Sequence, residues 1–351
     1  MNGKYHIIGI MSGTSLDGVD IVKCCFQRGS KWKYTIEYPE TIPYTTSWKR
    51  KLQNLHQKSK SEIKDTDIKY GKLLSKIILD YINKYNIKCD YIASHGHTIF
   101  HDPERGHTLQ VGDGQTIYNS TNITTINNFR ELDILRGGQG APLVPVGDLL
   151  LFPNYKYCLN LGGFANISIK NKKIIAFDIC AVNFVLNLLT RKINKDYDDR
   201  GEISRSGKIN KKLLEELNNL NFFKRPYPKS LSREWVDQKI IPILDKYHIP
   251  LNNKLCTLCE HIAFQIGKFL KNKSVLVTGG GVHNEYLIER IEYYSKCKII
   301  IPDNNLIDFK EAIIFAFLGV LRITNNINCF SSVTGAETDS SCGDIYKNNS
   351  S

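Results

Sequence analysis

The chain has 351 residues, of which 42% are hydrophobic and 23% charged, a composition typical of soluble globular proteins. At this length we expect two domains, each large enough to bury its own core. No apolar run reaches transmembrane length, and the first predicted strand begins too early to leave room for a signal peptide. The composition therefore predicts no membrane partner and no secretion.

The net charge is +12, from 47 Lys and Arg against 35 Asp and Glu. A nucleic-acid surface would cluster basic residues with aromatic ones, whereas these lysines are scattered. We therefore expect no nucleic-acid partner and only a mild attraction for anionic substrates. Most of the ten cysteines lie in or beside apolar segments, which indicates buried reduced thiols and a cytoplasmic location. Cys256 and Cys259 have C-x-x-C spacing without a second pair, so we interpret them as packing residues.

The first predicted element is a strand, a polar turn and a returning strand. Apolar runs at 5–10 and 21–26 flank the sequence GIMSGTSLDGVD at 9–20. Glycines and small hydroxyl residues in such a turn expose backbone N–H groups that can bind a phosphate. An ordinary hairpin turn has the same composition, so this turn alone is weak support for phosphate binding.

Strands and helices then alternate. The pattern predicts strands at 33–38, 91–94, 108–111 and 123–126, and helices at 48–58 and 68–85. The strand at 91–94 would deliver His95 and His97 at its C-terminal end. Together with His101 and His107 they suggest a metal site, but bonding to sugar hydroxyls or ordering of the loop is the more plausible use. Residues 136–145 fit neither the helical nor the strand periodicity of apolar residues and indicate a crossover or hinge, about which we expect the domains to close.

The second half repeats a strand, glycine turn and strand. We predict strands at 157–161, 167–170, 174–178 and 274–278, and helices at 183–193, 211–220, 235–247, 255–272, 284–295 and 312–325. The glycine turns at 162–166 and 279–281 match neither the P-loop nor the dinucleotide-binding pattern. One hairpin turn in each half and a late triple glycine resemble the actin, hexokinase and Hsp70 type of ATPase, whose two similar domains clamp ATP. The alternation predicts an α/β fold with mixed sheets.

Eight motifs along the chain resemble those of anhydro-N-acetylmuramic acid kinases. They are GIMSGTSLDGVD (9–20), SHGHTIFHDP (94–103), TLQVGD (108–113), LRGGQGAPLVP (135–145), LNLGGFANIS (159–168), PYPKSLSREW (226–235), VTGGGVHN (277–284) and SSVTGA (331–336). The resemblance implies a two-domain actin-like ATPase, ribonuclease H-like in fold, with a nucleotide cleft between the domains. Domain I would comprise 1–128 with 331–351, and domain II 129–330. The family is cytoplasmic and bacterial.

The resemblance also implies the reaction. ATP phosphorylates O6 of 1,6-anhydro-N-acetylmuramic acid while the anhydro ring is hydrolysed, giving N-acetylmuramic acid 6-phosphate for cell-wall recycling. A carboxylate must activate the water, and donors must spread the phosphate charge. Asp178, at the end of the strand 174–178, matches the family's catalytic aspartate. The residues alone equally allow Asp178 to be the N-cap of the next helix.

The remaining site residues follow from the motifs. The predicted ATP contacts are Gly13, Thr14, Ser15, Leu16, Asp17, Gly18, Val19, Asp20, Gly162, Gly163, Asn166, Gly279, Gly280, Gly281 and Asn284. The predicted sugar contacts are His97, Arg130, Gln139, Asn183 and Glu311. Asp17 or Asp20 is a candidate for holding Mg²⁺ through water, although Asp17 also suits a turn. Surface salt bridging explains Arg130 equally well from the residues alone, and placement at a helix N-terminus explains Glu311.

Two departures from the family pattern affect these predictions. The chain has DICAVN at 178–183, where relatives often have DTGPGN, so this loop is less permissive. It has Asn128 where many relatives have Asp before Phe-Arg, which puts the substrate contacts of Asn128 in doubt. The alternatives are a related small-sugar kinase and a non-catalytic ATP-binding regulator, but a regulator would be expected to lose Asp178. A homodimer is also possible on sequence grounds.

Overall fold

A computed structural model describes residues 3–13, 16–227 and 229–348, without the side chain of Glu104. The chain divides into two compact units, which we call unit 1 (Met1–Phe152 with Phe309–Ser351) and unit 2 (Pro153–Asp308). These boundaries differ from the predicted ones at 128/129 and 330/331. The reason is packing within unit 1, because a Cβ at Gly147 would lie 2.6 Å from the side chain of Ile314.

Unit 1 contains most of the first half of the chain. Its strands are β1 (Lys4–Ser12), β2 (Gly18–Arg28), β3 (Trp32–Pro43), β4 (Tyr91–Asp102), β5 (His107–Val111), β6 (Thr124–Asn127) and β12 (Asp344–Tyr346). Its helices are α1 (Thr46–Asn54), α2 (Lys60–Tyr85), α3 (Gly114–Thr121), α4 (Glu131–Leu135), α5 (Val144–Leu151) and α14 (Ser331–Thr334). The second unit boundary falls inside α13 (Asn304–Ile323).

Unit 2 has the same alternation on a smaller sheet. Its strands are β7 (Tyr157–Leu161), β8 (Phe164–Lys170), β9 (Ile174–Ala181), β10 (Val275–Thr278) and β11 (Ile299–Ile300). Its helices are α6 (Asn183–Thr190), α7 (Glu202–Arg205), α8 (Lys211–Asn218), α9 (Arg233–Lys239), α10 (Ile241–Lys246), α11 (Leu251–Gly267) and α12 (Glu285–Ser295). Short 3₁₀ turns occur at Leu55–Gln57, Pro103–Arg105, Arg191–Ile193, Asp199–Gly201, Asn221–Lys224 and Gly280–His283.

The two sheets share one strand order. In the described residues, unit 1 has the order β12-β6-β4-β1-β2-β3 with β5 paired to β4, and unit 2 has β11-β10-β7-β8-β9. In each unit the first three strands are antiparallel. In unit 1 β4 and β6 run parallel to β1, and in unit 2 β10 and β11 run parallel to β7. This repeated α/β unit confirms the predicted α/β fold of the actin-like type.

Local sequence explains the main elements. Helix α2 begins at a capping box, in which Ser59 and Glu62 satisfy each other's backbone N–H groups, and it ends at Asn86 in a left-handed conformation. Its buried residues include Tyr70 and Leu74, which pack into the apolar core of unit 1. In unit 2, α11 is buried along most of its length. All ten cysteines are described, and each is outside any disulfide.

Several predicted bounds were wrong in ways that move site residues. Strand β4 continues through 91–102, so His95 and His97 lie inside the strand and not at its end. Strand β9 continues to Ala181, so Asp178 also lies within a strand. Helix α13 begins at Asn304, so Glu311 lies inside a helix and not before one. In β4 and α13 polar residues interrupt the apolar pattern that marks an element. In β9 the single polar Asp178 is followed by three buried apolar residues, 179–181, which the predicted strand omitted.

Two further elements differ from the prediction. The segment predicted as one helix at 235–247 is divided into α9 and α10, because Pro242 lies in the first turn of α10. The polar tail contains β12, which pairs antiparallel with β6 and continues the sheet of unit 1. Among the described residues, no helix is long and apolar enough to cross a membrane.

Candidate active site

The first glycine turn connects β1 to β2 in unit 1. Its predicted ATP contacts Thr14 and Ser15 lie outside the described residues. The described part forms a tight turn in which the Leu16 N–H donates to the Gly13 carbonyl oxygen at 3.3 Å. Leu16 takes the left-handed conformation with φ 60°. The bend therefore places a non-glycine residue in a conformation that usually favours glycine.

Gly18 and Val19 follow this turn in β2. A Cβ at Gly18 would lie 2.4 Å from the carbonyl oxygen of Ile42, so the close approach of β3 accounts for this glycine. The side chain of Val19 is fully buried in the core of unit 1. Only the backbone of Val19 is therefore left for the predicted nucleotide contact.

Two carboxylates lie near the first turn. Asp17 is exposed, whereas Asp20 is half-buried in β2 and accepts a hydrogen bond at 2.7 Å from the hydroxyl of Thr41 on β3. The described residues contain no group of three or more His, Cys, Asp or Glu side chains able to hold a metal ion. Mg²⁺ commonly needs only one or two protein carboxylates when phosphates and waters complete its shell. The half-buried, oriented Asp20 fits that role better than Asp17.

His97 belongs to a buried hydrogen-bonded chain in unit 1. Its Nδ1 lies 2.9 Å from the hydroxyl of Ser12, which lies 2.6 Å from the hydroxyl of Tyr44. The Tyr44 hydroxyl in turn contacts that of Tyr70. Burial lowers the pKa of His97 to about 4, so the imidazole is neutral at pH 7. These hydrogen bonds hold the side chain of Ser12, the last residue of β1, directly before the glycine turn.

His95 and Arg130 form a second polar pair. The Arg130 guanidinium donates to His95 Nε2 and, at 2.8 Å, to the Gly140 carbonyl oxygen. Burial lowers the pKa of Arg130 to about 10, and the carboxylate of Glu311 partly opposes this change. Arg130 also lies 6.0 Å above the ring of Phe315, one turn after Glu311 on α13. The structure thus brings together Arg130 and Glu311, two of the predicted sugar contacts.

Gln139 lies in the loop before α5, which Asp133 organises. Asp133 is fully buried, and its carboxylate accepts from the Gly140 N–H and the Thr334 hydroxyl, each at 2.7 Å. The Gln139 N–H donates to the Thr334 carbonyl oxygen at 2.8 Å, and the residue is exposed. A buried carboxylate therefore fixes the loop, while Gln139 remains open to a ligand.

Asp178 is the centre of the polar group in unit 2. Its Oδ1 accepts from the side-chain amide of Asn166, and its Oδ2 accepts from the Leu231 N–H at 2.8 Å. Burial raises the pKa of Asp178 above its usual value, and these two hydrogen bonds oppose the rise. Each oxygen has one donor and further lone pairs, and the residue is half-buried. The arrangement suits a carboxylate that accepts a proton from water.

The second glycine turn is held partly by its own backbone. The Gly162 N–H donates to the Phe164 carbonyl oxygen at 3.1 Å, so this N–H is engaged within the turn. The Gly163 carbonyl accepts from Val182 and Phe184 at the start of α6, and Gly163 is exposed. Asn166, predicted as an ATP contact, instead donates to Asp178. Of these three residues, the exposed Gly163 is the best placed for a nucleotide.

Asn183 and Asn284 have structural contacts in the described residues. The Asn183 amide donates to the Leu161 carbonyl oxygen at 3.1 Å, at the first residue of α6. The Asn284 side chain caps α12 by accepting from the Leu287 N–H at 2.9 Å. Both residues were predicted as ligand contacts. Their amides stabilise the elements beside the glycine turns.

The third glycine turn follows β10. Gly279 has φ 84°, and a Cβ there would lie 2.6 Å from the Oδ1 of Asn160. Gly281 is buried, and a Cβ there would lie 2.7 Å from that of Leu161. Gly280 is exposed. Close packing therefore explains Gly279 and Gly281, and Gly280 is the member of the turn most open to a ligand.

Sequence reasoning missed three groups of site residues. They are Asp133, the chain of Ser12, Tyr44 and Tyr70, and Asn160. Asp133 and Tyr70 carry no local signal, because their partners are distant in sequence. Asn160 could have been found, since it is a polar residue inside an otherwise apolar strand that leads into a glycine turn.

Known proteins are similar to this chain in sequence and, at lower similarity, in structure. The family model described as anhydro-N-acetylmuramic acid kinase matches residues 5–348. A relative of that name from Aliivibrio fischeri is 34% identical, covering 99% of this chain and 100% of its own. Another from Clostridioides difficile is 33% identical, covering 97% of this chain and 98% of its own. Among solved structures, a 2-hydroxyisocaproyl-CoA dehydratase activator from Clostridium difficile with bound ADPNP covers 91% of this chain and 97% of its own, at 14% identity and a TM-score of 0.45.

Proposed function

Because the chain belongs to the anhydro-N-acetylmuramic acid kinase family, we propose that Asp178 is the general base of its reaction. The family makes the chain an ATP-using kinase that acts on a small sugar, 1,6-anhydro-N-acetylmuramic acid. The observation that carries the assignment of the base is the pair of hydrogen bonds that orients the Asp178 carboxylate. Its raised pKa makes it a better proton acceptor than an ordinary aspartate.

The proposed reaction balances with one water and one ATP. Asp178 takes a proton from the water while the water oxygen bonds to C1 of the sugar. The bond from C1 to the bridging oxygen O6 breaks, and O6 bonds to the γ-phosphorus as the bond between that phosphorus and ADP breaks. Asp178 then returns its proton to solvent. Orienting one carboxylate in this way supplies general base catalysis without a covalent intermediate.

The exposed glycines supply the proposed nucleotide contacts. Gly163 and Gly280 are exposed and carry no side chain that would keep a phosphate from their backbone. We assign Asp20 to hold Mg²⁺, because its carboxylate is half-buried and already oriented by Thr41. When bound, Mg²⁺ would neutralise charge on the phosphates.

Arg130 and Glu311 are the proposed sugar contacts in unit 1. A guanidinium pairs well with a carboxylate, and the lactyl group of the sugar acid offers one. Two acceptors, His95 and the Gly140 carbonyl, fix the orientation of the Arg130 guanidinium before any ligand arrives. Glu311 is exposed and can accept from sugar hydroxyls. We also propose a cytoplasmic role in recycling cell-wall sugars, because ATP is the co-substrate.

The test replaces Asp178 and follows the product by mass spectrometry. Purified wild type should convert 1,6-anhydro-N-acetylmuramic acid and ATP to a sugar phosphate one water heavier than a simple phosphorylation product. Asp178→Asn should lower the rate about 10²–10⁴-fold, the usual effect of a lost general base. Asp196→Asn, a matched change at an exposed position, should leave the rate unchanged. Near-normal turnover by Asp178→Asn would refute the assignment.

A second measurement tests the route of the water. In heavy-oxygen water and short incubations, the label should appear only in the hydroxyl group at C1, because that oxygen comes from water. The oxygen that joins the sugar to the phosphate is O6, which comes from the substrate. Brief reaction times limit the exchange of the free reducing sugar with solvent. Label in the phosphate would show that water attacks phosphorus, which excludes the proposed sequence. A product lacking the added water would show simple phosphorylation and favour a related sugar kinase.

A further inference from the structure

Four polar residues form a row across the sheet of unit 2. In the strand pairing, Thr278 on β10 lies opposite Asn160 on β7, Asn160 opposite Asn166 on β8, and Asn166 opposite Asp178 on β9. The register shifts beyond Asn166, since the preceding Ala165 pairs with Cys180. Asp178 therefore belongs to the regular register of β8 and β9, and the bulge lies directly after it. The catalytic carboxylate is thus the last member of a cross-strand row.

The hydrogen bonds along this row all point the same way, each donated toward Asp178. An ionised Asp178 only accepts, so the Asn166 amide must present its NH₂ group to the carboxylate. The Asn166 carbonyl oxygen then faces the other way, where it accepts from the Asn160 NH₂ group at 3.3 Å. The side-chain carbonyl oxygen of Asn160 in turn faces Gly279. Each amide is therefore oriented by its neighbour in the row.

Asn160 occupies the space that two glycine turns leave open. A Cβ at Gly162 would lie 3.2 Å from the Asn160 Nδ2, and one at Gly279 would lie 2.6 Å from its Oδ1. Both glycines belong to motifs that the sequence assigned to ATP. The Asn160 carboxamide therefore contacts two nucleotide turns and, through Asn166, the base.

We propose that Asn160 is a positioning residue that holds the Asn166 amide toward Asp178 and couples the orientation of the base to the second and third glycine turns. The proposal rests on Asp178 being the base. Gly162 and Gly279 pack closely against the Asn160 amide. Because that amide is hydrogen-bonded through Asn166 to Asp178, a displaced glycine would move it and with it the carboxylate. A turn that closes on a phosphate would thereby adjust the carboxylate. Activation of water would follow the arrival of the nucleotide.

The first experiment is a double-mutant cycle. Asn160→Ala should lower kcat about three- to tenfold, the size expected for one lost orienting hydrogen bond. Asn166→Ala should lower it at least as much. If Asn160 acts through Asn166, the double variant should be no slower than Asn166→Ala alone. Losses that multiply would show that Asn160 acts independently and would overturn the proposal. Asn171→Ala, on the exposed turn between β8 and β9, is the control and should be unaffected.

The second experiment is the pH dependence of kcat. The Asn166 hydrogen bond lowers the pKa of Asp178, so losing its orientation should shift the acidic limb of the profile to higher pH. Asn160→Asp keeps the size of the side chain but replaces the NH₂ donor with a carboxylate oxygen. Two acceptors would then face each other at the Asn166 side-chain carbonyl. This variant should shift the limb in the same direction even if Asn160→Ala folds poorly. Unchanged profiles in both variants would refute the coupling.

The two proposals fail in different ways. If Asp178→Asn keeps near-normal turnover, the assignment of the base fails, and the proposal that Asn160 positions the base fails with it. If Asp178→Asn is inactive while the Asn160 variants behave as wild type, only the coupling fails. Thermal unfolding of each variant shows whether a loss of rate reflects a loss of fold.

Discussion

Arg130 donates two hydrogen bonds to one atom of His95, since its Nε lies 3.0 Å and its Nη2 2.8 Å from His95 Nε2. This nitrogen must therefore carry no proton. The proton resides on Nδ1, which lies 3.0 Å from the Gly96 carbonyl oxygen and donates to it. A neutral imidazole, kept so by burial and by Arg130, thus fixes the plane of the guanidinium.

Arg130→Lys should raise the KM for the sugar about tenfold or more, because an ammonium cannot pair with a carboxylate through two parallel donors. The KM for ATP should stay unchanged. Steady-state kinetics with each substrate varied in turn provides the measurement. Arg105→Lys, at an exposed position, should change neither constant. An unaltered sugar KM in Arg130→Lys would remove this residue from the binding site.

Folding stability should fall as the pH drops from 7 to 5. Burial lowers the pKa of His97 to about 4 and that of His261 to about 3, so the folded state binds fewer protons than the unfolded state below pH 6.5. The stability contributed by each neutral imidazole is present above pH 6.5 and is lost progressively toward the folded pKa. For His261 the loss at pH 5 is about 2 kcal/mol.

Chemical denaturation of wild type and His261→Gln at both pH values measures this effect. The variant should lose less stability between pH 7 and pH 5 than wild type does. His56→Gln, at an exposed position, should behave as wild type. Parallel pH dependences in wild type and His261→Gln would contradict a buried neutral imidazole.

Gly279→Ala should impair catalysis more than its backbone strain alone explains. The alanine would have to adopt φ 84° and would bring its Cβ to 2.6 Å from Asn160 Oδ1. Gly335→Ala is the matched control, because Gly335 has φ 80° and nothing within 4 Å of the added Cβ. Both should lose about 1–3 kcal/mol of stability from their positive φ, with the larger loss at Gly279, because its ψ of 155° is essentially restricted to glycine whereas Gly335, with ψ 7°, is left-handed. Only Gly279→Ala should also lower kcat, and equal rates in the two variants would contradict the contact.

Gly9→Ala should destabilise unit 1 by about 1–3 kcal/mol, the usual cost of overpacking. A Cβ at Gly9 would lie 2.3 Å from the carbonyl oxygen of Ala312 on α13, and backbone cannot swing aside as a side chain can. Gly29→Ala serves as the comparison, since its added Cβ would meet only the Lys31 carbonyl oxygen at 3.5 Å. Thermal unfolding measures both, and equal midpoints would show that α13 yields without cost.

The sequence predicted the fold well where local chemistry decides it. Glycine turns between apolar strands located both hairpins, and the family motifs supplied the prediction that Asp178 is the base. The contacts of Asn166, Asn183 and Asn284 could not be read from the sequence, because an amide at a turn serves a ligand or a helix cap equally well. Asp133 and Asn160 depend on partners that only the folded sheet brings together. Their roles follow from tertiary register and not from spacing along the chain.

The two units share a strand order, yet their polar pairs are placed differently on it. In unit 1 the acid, Asp20, stands on the second strand and its hydrogen-bond donor, Thr41, on the third. In unit 2 the donor, Asn166, stands on the second strand and the acid, Asp178, on the third. Acid and donor thus stand on opposite members of the corresponding strand pair in the two units. Neither unit can replace the other, and a protein built from two identical units would lack one of the two carboxylate positions.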